Sequence, residues 1–154
     1  MIFVCLGTQD KSFKRLLEII ENSNIDDKII AQVGYTDFSS SKMEIHKYLD
    51  KDEYSKYLNE ADIVITHGGV GTIMEALKAN KKIIACPRLA KYFEHQNDHQ
   101  LDIVDAFVKN NYLLALYEND DINEIYQKAL SFTPNKYISN NENFVSKLST
   151  YLGI

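Results

Sequence analysis

Three of the chain's six glycines fall within one ten-residue stretch, Thr66-His67-Gly68-Gly69-Val70-Gly71-Thr72-Ile73-Met74-Glu75. A short apolar run rich in β-branched residues precedes it (Ala61-Asp62-Ile63-Val64-Ile65), and good helix formers follow it (Ile73 to Ala79). This order reads as strand, glycine turn, helix. A helix that begins on such a turn points unpaired N–H groups and the positive end of its dipole at one spot, which suits a phosphate. Glycines there let a ligand approach the backbone with no Cβ in the way. The pattern also fits a tight strand-to-helix turn that binds nothing.

The rest of the chain repeats the alternation. Residues 2–6 read as a buried first strand, followed by the turn Gly7-Thr8-Gln9-Asp10, in which Thr8 or Asp10 is placed to cap the next helix. Phe13, Leu16, Leu17 and Ile20 give that helix one apolar face. A second strand is expected at 28–34, a serine-rich polar loop at 35–41, a third strand at 43–48 and a short helix at 52–58. After the glycine helix come a strand at 82–87 ended by Pro87, a loop through Phe93, a helix from Glu94 or His95 to Asn110, and a strand at 111–116. Asp120-Asp121 opens a helix to about Phe132. A final helix is expected at 140–152, with Phe144, Val145, Leu148, Tyr151 and Leu152 as its apolar stripe. That stripe suits packing on its own domain or docking a partner. Alternating strands and helices predict an α/β fold, a Rossmann-like parallel sheet with helices on both faces, in a single domain over 1–154. Ligands of such sheets sit outside the carboxyl ends of the strands.

Bulk properties narrow the function. A formal charge of -5 argues against electrostatic binding of nucleic acid. No apolar run approaches the roughly 18–20 residues of a membrane span, and the apolar start is too short for a signal peptide. Cys5 and Cys86, the only cysteines, lie in predicted strands and read as small buried hydrophobes. A cytoplasmic chain is the expectation.

Polar residues gather at the predicted binding edge. Glu75 can face the positive helix end, cap the turn, or accept hydrogen bonds from a ribose diol. Thr72 can cap the helix and donate to a phosphate oxygen. His67 can donate to a diphosphate or be a locally bonded histidine. Glu94-His95-Gln96-Asn97-Asp98-His99-Gln100 forms a dense cluster that suits either a hydroxyl-rich ligand or a polar helix start. His95 and His99 stand at i and i+4 and could share a helix face, but no HExxH pattern or third ligand accompanies them, so no metal or other cofactor is expected. Gly7 stands alone after the first strand, which argues against NAD. No Gly-x-Ser-x-Gly elbow or Walker loop is present.

In their order and spacing, Phe3-Val4-Cys5-Leu6-Gly7-Thr8, Ala61-Asp62 with Thr66 through Ala76, and Glu94 through Leu101 resemble the carboxyl-terminal, donor-binding half of GT-B glycosyltransferases of the family-28 type. The similarity is greatest to half-sized subunits of the Alg13, PssE and EpsF kind and covers almost the whole chain. It implies an inverting hexosyltransferase acting on a UDP-sugar in capsule or exopolysaccharide synthesis. It places the diphosphate on Gly68, Gly69, Gly71 and Thr72, with Gly7, Thr8 and His67 beside the donor and Glu75 on the ribose. The sugar or diphosphate falls to Glu94, Gln96 and Asn97, and then to His95, His99 and Gln100. Complete enzymes of this type carry a second half that holds the acceptor and often the base, so a membrane-anchored, acceptor-binding partner of the Alg14 kind is implied. That partner would bring a lipid-linked acceptor and recruit the chain to the inner face of the plasma membrane. Within this chain His95 and Asp10 are the candidate bases. The alternative is a non-catalytic subunit that stabilises a glycosyltransferase and binds little donor itself.

Overall fold

The buried apolar runs become the strands of one sheet. The computed structural model describes residues 1–138, and the expected helix at 140–152 lies outside them. The strands are β1 (Ile2–Cys5), β2 (Ile29–Gln32), β3 (Met43–His46), β4 (Ile63–His67), β5 (Lys82–Cys86) and β6 (Leu114–Ala115). The helices are α1 (Lys14–Glu21), α2 (Lys51–Glu60), α3 (Val70–Lys78), α4 (His99–Lys109) and α5 (Ile122–Ser131). All strand pairs are parallel, in the order β3-β2-β1-β4-β5-β6. This is the expected Rossmann-like sheet.

Strand residues alternate between two cores, as the two-residue period of a strand requires. Ile2, Val4, Ile29, Ile63, Ile65 and Ile84 face α1 and α5, where Phe13, Leu16, Leu17, Ile20, Ile122 and Ala129 meet them. Phe3, Cys5, Ile30, Val64, Ile83 and Ala85 face the other side, against Ile73, Ala76 and Leu77 of α3 and Val104 and Phe107 of α4. Tyr54, Tyr57 and Leu58 of α2 pack on this second core without being fully buried. Each fully buried large side chain contributes about 1.5–3 kcal/mol. Both free cysteines are enclosed in these cores.

Several boundaries differ from expectation, each for a local reason. Helix α1 begins at Lys14, and neither Thr8 nor Asp10 caps it. The Phe13 N–H donates instead to Thr36 Oγ1, 2.9 Å away, from the loop after β2. The serine run is a structural tie: the Glu21 carboxylate accepts from the Ser40 and Ser41 hydroxyls and from the Ser41 N–H. Strand β3 stops at His46, because Leu49 N–H turns to Gln32 Oε1 (2.8 Å) and Asp50 caps α2 through the Glu53 N–H (2.8 Å). Strand β6 is short because Asn111 takes a left-handed conformation (φ 56°) after α4, with Tyr112 N–H returning to Phe107 O. Helix α3 starts before the glycine run ends, with Gly69 as its N-cap residue. Thr72 is therefore inside the first turn and does not cap it. Helix α4 starts at His99, so residues 94–98 form a loop.

Candidate functional site

The chain runs outward from β1 to β2 and β3, then returns to β4 on the other side of β1. The β1 and β4 turns therefore meet at the point where the connections reverse, which is where open parallel sheets bind ligands. A cavity of about 530 Å³ opens there, with Gly7 and Thr8 of the first turn, Gly71, Thr72 and Glu75 of α3, and Tyr48, Leu49 and Tyr54 among its walls. Cys5 and Gln32 line it as well.

The glycines of this turn have different causes. A Cβ on Gly69 would stand 2.3 Å from His67 Cε1, and one on Gly7 would stand 2.5 Å from His67 Nε2. Both glycines make room for the imidazole, and Gly7 also has φ 78°. A Cβ on Gly68 would stand 2.8 Å from Gln100 Cβ, so Gly68 admits α4. A Cβ on Gly71 would meet nothing within 4 Å. Packing accounts for three of these four glycines and leaves Gly71, on the cavity wall, without a reason internal to the fold.

Around Gly71 the α3 terminus is open. Gly69 has no side chain to cap it, and the first intrahelical bond comes from Ile73 N–H to Gly69 O. The N–H groups of Val70, Gly71 and Thr72 precede that bond and have no intrahelical partner, the arrangement that receives anions. Glu75 stands about 6 Å further along the helix axis at 1.5 Å per residue. That is past the first turn, so it is not a capping-box residue. It is exposed, and its carboxylate takes no hydrogen bond from the described residues.

His67 is 4% exposed, and burial, reinforced by the Arg88 charge, lowers its pKa to about 3. It is therefore neutral at physiological pH. An unfolded histidine protonates near 6.5, so the unfolded state binds a proton that the folded state refuses. This contribution to stability is complete above about pH 6.5 and is lost as pH falls toward 3. Over the first 1.5 pH units below 6.5 it amounts to about 2 kcal/mol at 1.36 kcal/mol per unit. Denaturant unfolding at pH 7 and pH 5 should show that extra loss in the native chain and not in a His67→Asn variant.

The later polar cluster divides. Glu94 is 3% exposed and does not present its carboxylate to the cavity. Its oxygens accept from Arg15 Nε and Nη2 at 2.9 Å and from Leu89 N–H at 3.0 Å. Gln100 is also buried, bonded to Gly68, Arg88 and His67. Gln96 and His99 are exposed, and His95 and Asn97 are half-buried. His95 Nδ1 accepts from Asn97 N–H at 3.3 Å, and Asn97 Oδ1 accepts from His99 N–H at 3.0 Å. A neutral His95 so bonded carries its proton on Nε2, which makes that nitrogen a donor and not a base. His95 and His99 do not share a helix face, because α4 starts only at His99. Asp10 is exposed in the β1–α1 loop.

Sequence reading missed the cations beneath the site. Arg88 is 1% exposed, with Nη2 donating to Leu6 O (2.6 Å) and Nη1 to Lys11 O (2.9 Å) and Glu94 O (3.1 Å). Burial lowers its pKa to about 10, which leaves it charged. Arg15 and Arg88 flank the Phe13 ring at 5.4 and 4.9 Å. The Glu94 carboxylate pairs with Arg15 while Arg88 is bonded to backbone carbonyls, so among the described residues this network is net positive behind the β1 turn. A lone arginine after Pro87 carries no sequence signal of this. Gln32, a polar residue in an otherwise apolar strand, is a sequence signal of the first cavity, which it lines. A second cavity of about 530 Å³ is lined by Arg15, Leu89, Lys91, Asp98, Leu101 and Tyr117–Asp120. Lys91 and Tyr92 beside it are both tied to Glu118 at 2.7 Å.

A parallel sheet in this order, with an open helix end at its reversal point, is a Rossmann-like fold of the kind that forms the carboxyl-terminal half of GT-B enzymes. The match to the glycosyltransferase family 28 C-terminal domain runs over residues 1–150, and the chain belongs to that family. A UDP-N-acetylglucosamine transferase subunit ALG13 from Candida albicans is 30% identical over 106 residues, 69% of this chain and 30% of that protein. The UDP-N-acetylglucosamine--N-acetylmuramyl-(pentapeptide) pyrophosphoryl-undecaprenol N-acetylglucosamine transferase of Clostridium botulinum is 27% identical over 79% of this chain and 31% of that one. The chain thus spans about a third of the length of these two relatives. The NMR structure of ALG13 superposes with a TM-score of 0.61 at 17% identity, over 94% of this chain and 92% of that one, a likeness of fold. Among the described residues no helix is long and apolar enough to cross a membrane.

Proposed function

We propose that this chain is the donor-binding subunit of a two-chain inverting glycosyltransferase that uses UDP-N-acetylglucosamine. The observation that carries the reading is Gly71, a glycine on the cavity wall at an open helix end whose missing Cβ no atom of the described residues requires. The diphosphate would lie on the N–H groups of Val70, Gly71 and Thr72, and the ribose diol would reach Glu75. The base would continue toward Tyr48 and Leu49. Two relatives named above are named for UDP-N-acetylglucosamine transfer, which supports this donor. A lipid-linked acceptor has support in the pyrophosphoryl-undecaprenol of the bacterial relative's name. A role in capsule or exopolysaccharide synthesis has no such support.

As the sugar leaves UDP, negative charge grows on the diphosphate. The α3 terminus, the His67 N–H and the buried guanidinium groups would stabilise that charge without reorganising. The acceptor hydroxyl must lose a proton, and Asp10, exposed in the β1–α1 loop, and half-buried His95 are this chain's weak candidates to take it. The base and the acceptor site would then belong to a membrane-bound partner.

Calorimetry on the purified chain tests the donor site. UDP should bind, and Glu75→Ala should weaken it roughly thirtyfold, about 2 kcal/mol for hydrogen bonds to a charged acceptor. Inorganic diphosphate should bind both proteins equally. No binding of UDP at millimolar concentration would favour a stabilising subunit that leaves the donor to its partner. Sugar transfer by the isolated chain would defeat the two-chain arrangement.

A further inference from the structure

The amide of Gln100 decides where His67 keeps its proton. Gln100 is 3% exposed, and its Oε1 accepts from Gly68 N–H at 2.9 Å and from Arg88 N–H at 3.0 Å. Backbone N–H groups only donate, so the amide oxygen must lie on that side. The amide nitrogen therefore faces His67 Nδ1, 3.0 Å away. An NH₂ group also only donates, so Nδ1 is the acceptor and carries no proton. A neutral imidazole then holds its proton on Nε2. That atom lies between the two turns, 2.5 and 2.6 Å from where Cβ atoms on Gly7 and Gly69 would stand. No described residue accepts from Nε2, yet Nε2 is not one of the fully enclosed unpartnered side-chain atoms, which are Thr66 Oγ1 and Arg88 Nε. It therefore retains a small accessible surface.

We infer that Gln100 is a positioning residue: by donating to Nδ1 it locks His67 as an Nε2–H donor at the junction of the β1 and β4 turns, aimed at the anionic oxygens of a bound nucleoside diphosphate. The ligand in this statement rests on the proposed donor site; the lock on the histidine does not. The same oxygen joins Gly68 to Arg88, the first residue after β4 to the second after β5. One side chain thus sets both the spacing of the strand ends and the tautomer between them. The charged or titratable groups acting on His67 are Arg88 and His95, and both disfavour a second proton on the ring.

The experiment is long-range proton–nitrogen NMR on the full chain with ¹⁵N-labelled histidine, with UDP as the ligand. In the native chain His67 should show a protonated Nε2 and a bare Nδ1, with the Nε2–H signal moving when UDP is added. A protonated Nδ1 in the native chain overturns the inference, and this measurement needs no variant to fold. The Gln100→Glu variant keeps an acceptor for Gly68 and Arg88 but cannot donate to Nδ1. The single proton should move from Nε2 to Nδ1, leaving Nε2 a bare acceptor, and UDP affinity should fall roughly tenfold, the scale of one hydrogen bond to a charged group. In a His67→Ala background the same substitution should leave UDP affinity nearly unchanged. An equal loss in that background means that Gln100 acts on the ligand by contact or charge, and the positioning role falls. A correct native tautomer in a chain that ignores UDP overturns the donor site and leaves the lock standing.

Discussion

Gly71→Ala should make the chain more stable and a poorer binder of UDP. The position is helical, its φ is not positive, and a Cβ there meets nothing within 4 Å. Alanine at a compatible glycine position adds about 0.4–1 kcal/mol, largely by restricting the unfolded chain. A diphosphate seated on the first turn of α3 would collide with the new methyl group, and displacing it from those N–H groups removes charge-assisted hydrogen bonds of about 1.5–3 kcal/mol each. The expected loss is on the order of a hundredfold in UDP affinity, the 2.7 kcal/mol that two such weakened bonds represent. Thermal melting and calorimetry on the same sample give both halves of the result. A more stable protein that binds UDP as before would show that the ligand does not rest on this turn.

Glu94→Ala should act in the opposite sense. It leaves Arg15 without its carboxylate and Leu89 N–H without an acceptor, in a place where Glu94 is 3% exposed. Removing one member of a buried pair costs about 3–5 kcal/mol, and the lower figure applies because Arg15 keeps some contact with water. Against a total stability of about 5–15 kcal/mol this is a severe loss. It should appear as a lower denaturant midpoint, and the preference for UDP-N-acetylglucosamine over UDP should stay unchanged. A stable Glu94→Ala protein that no longer distinguishes the two ligands would place the carboxylate on the sugar instead.

The contrast between these two residues shows what could be read from the chain. Strand and helix order followed from periodicity, because Ile63 to Ile65 and the Phe13-Leu16-Leu17-Ile20 stripe each have only one way to bury their apolar atoms. The glycine turn was readable for the same reason. Glu94 was not, because a carboxylate's type says nothing of its partner, and Arg15 stands 79 residues away. Element ends failed where a distant side chain terminates a segment, as Thr36 does at Phe13 and Gln32 does at Leu49. Tyr48 and Arg88 reach the site only through the order of strands in the sheet.

Gly69 has φ -78° and ψ 129°, a conformation open to any residue, and the His67 ring stands where a side chain would go. The two positions are therefore bound to an order of replacement. Any lineage that changes residue 69 must first shrink residue 67, and once it has done so the β4 turn loses its fixed donor. A library that randomises both positions should recover large residues at 69 only beside small ones at 67, whether or not the selection asks for ligand binding.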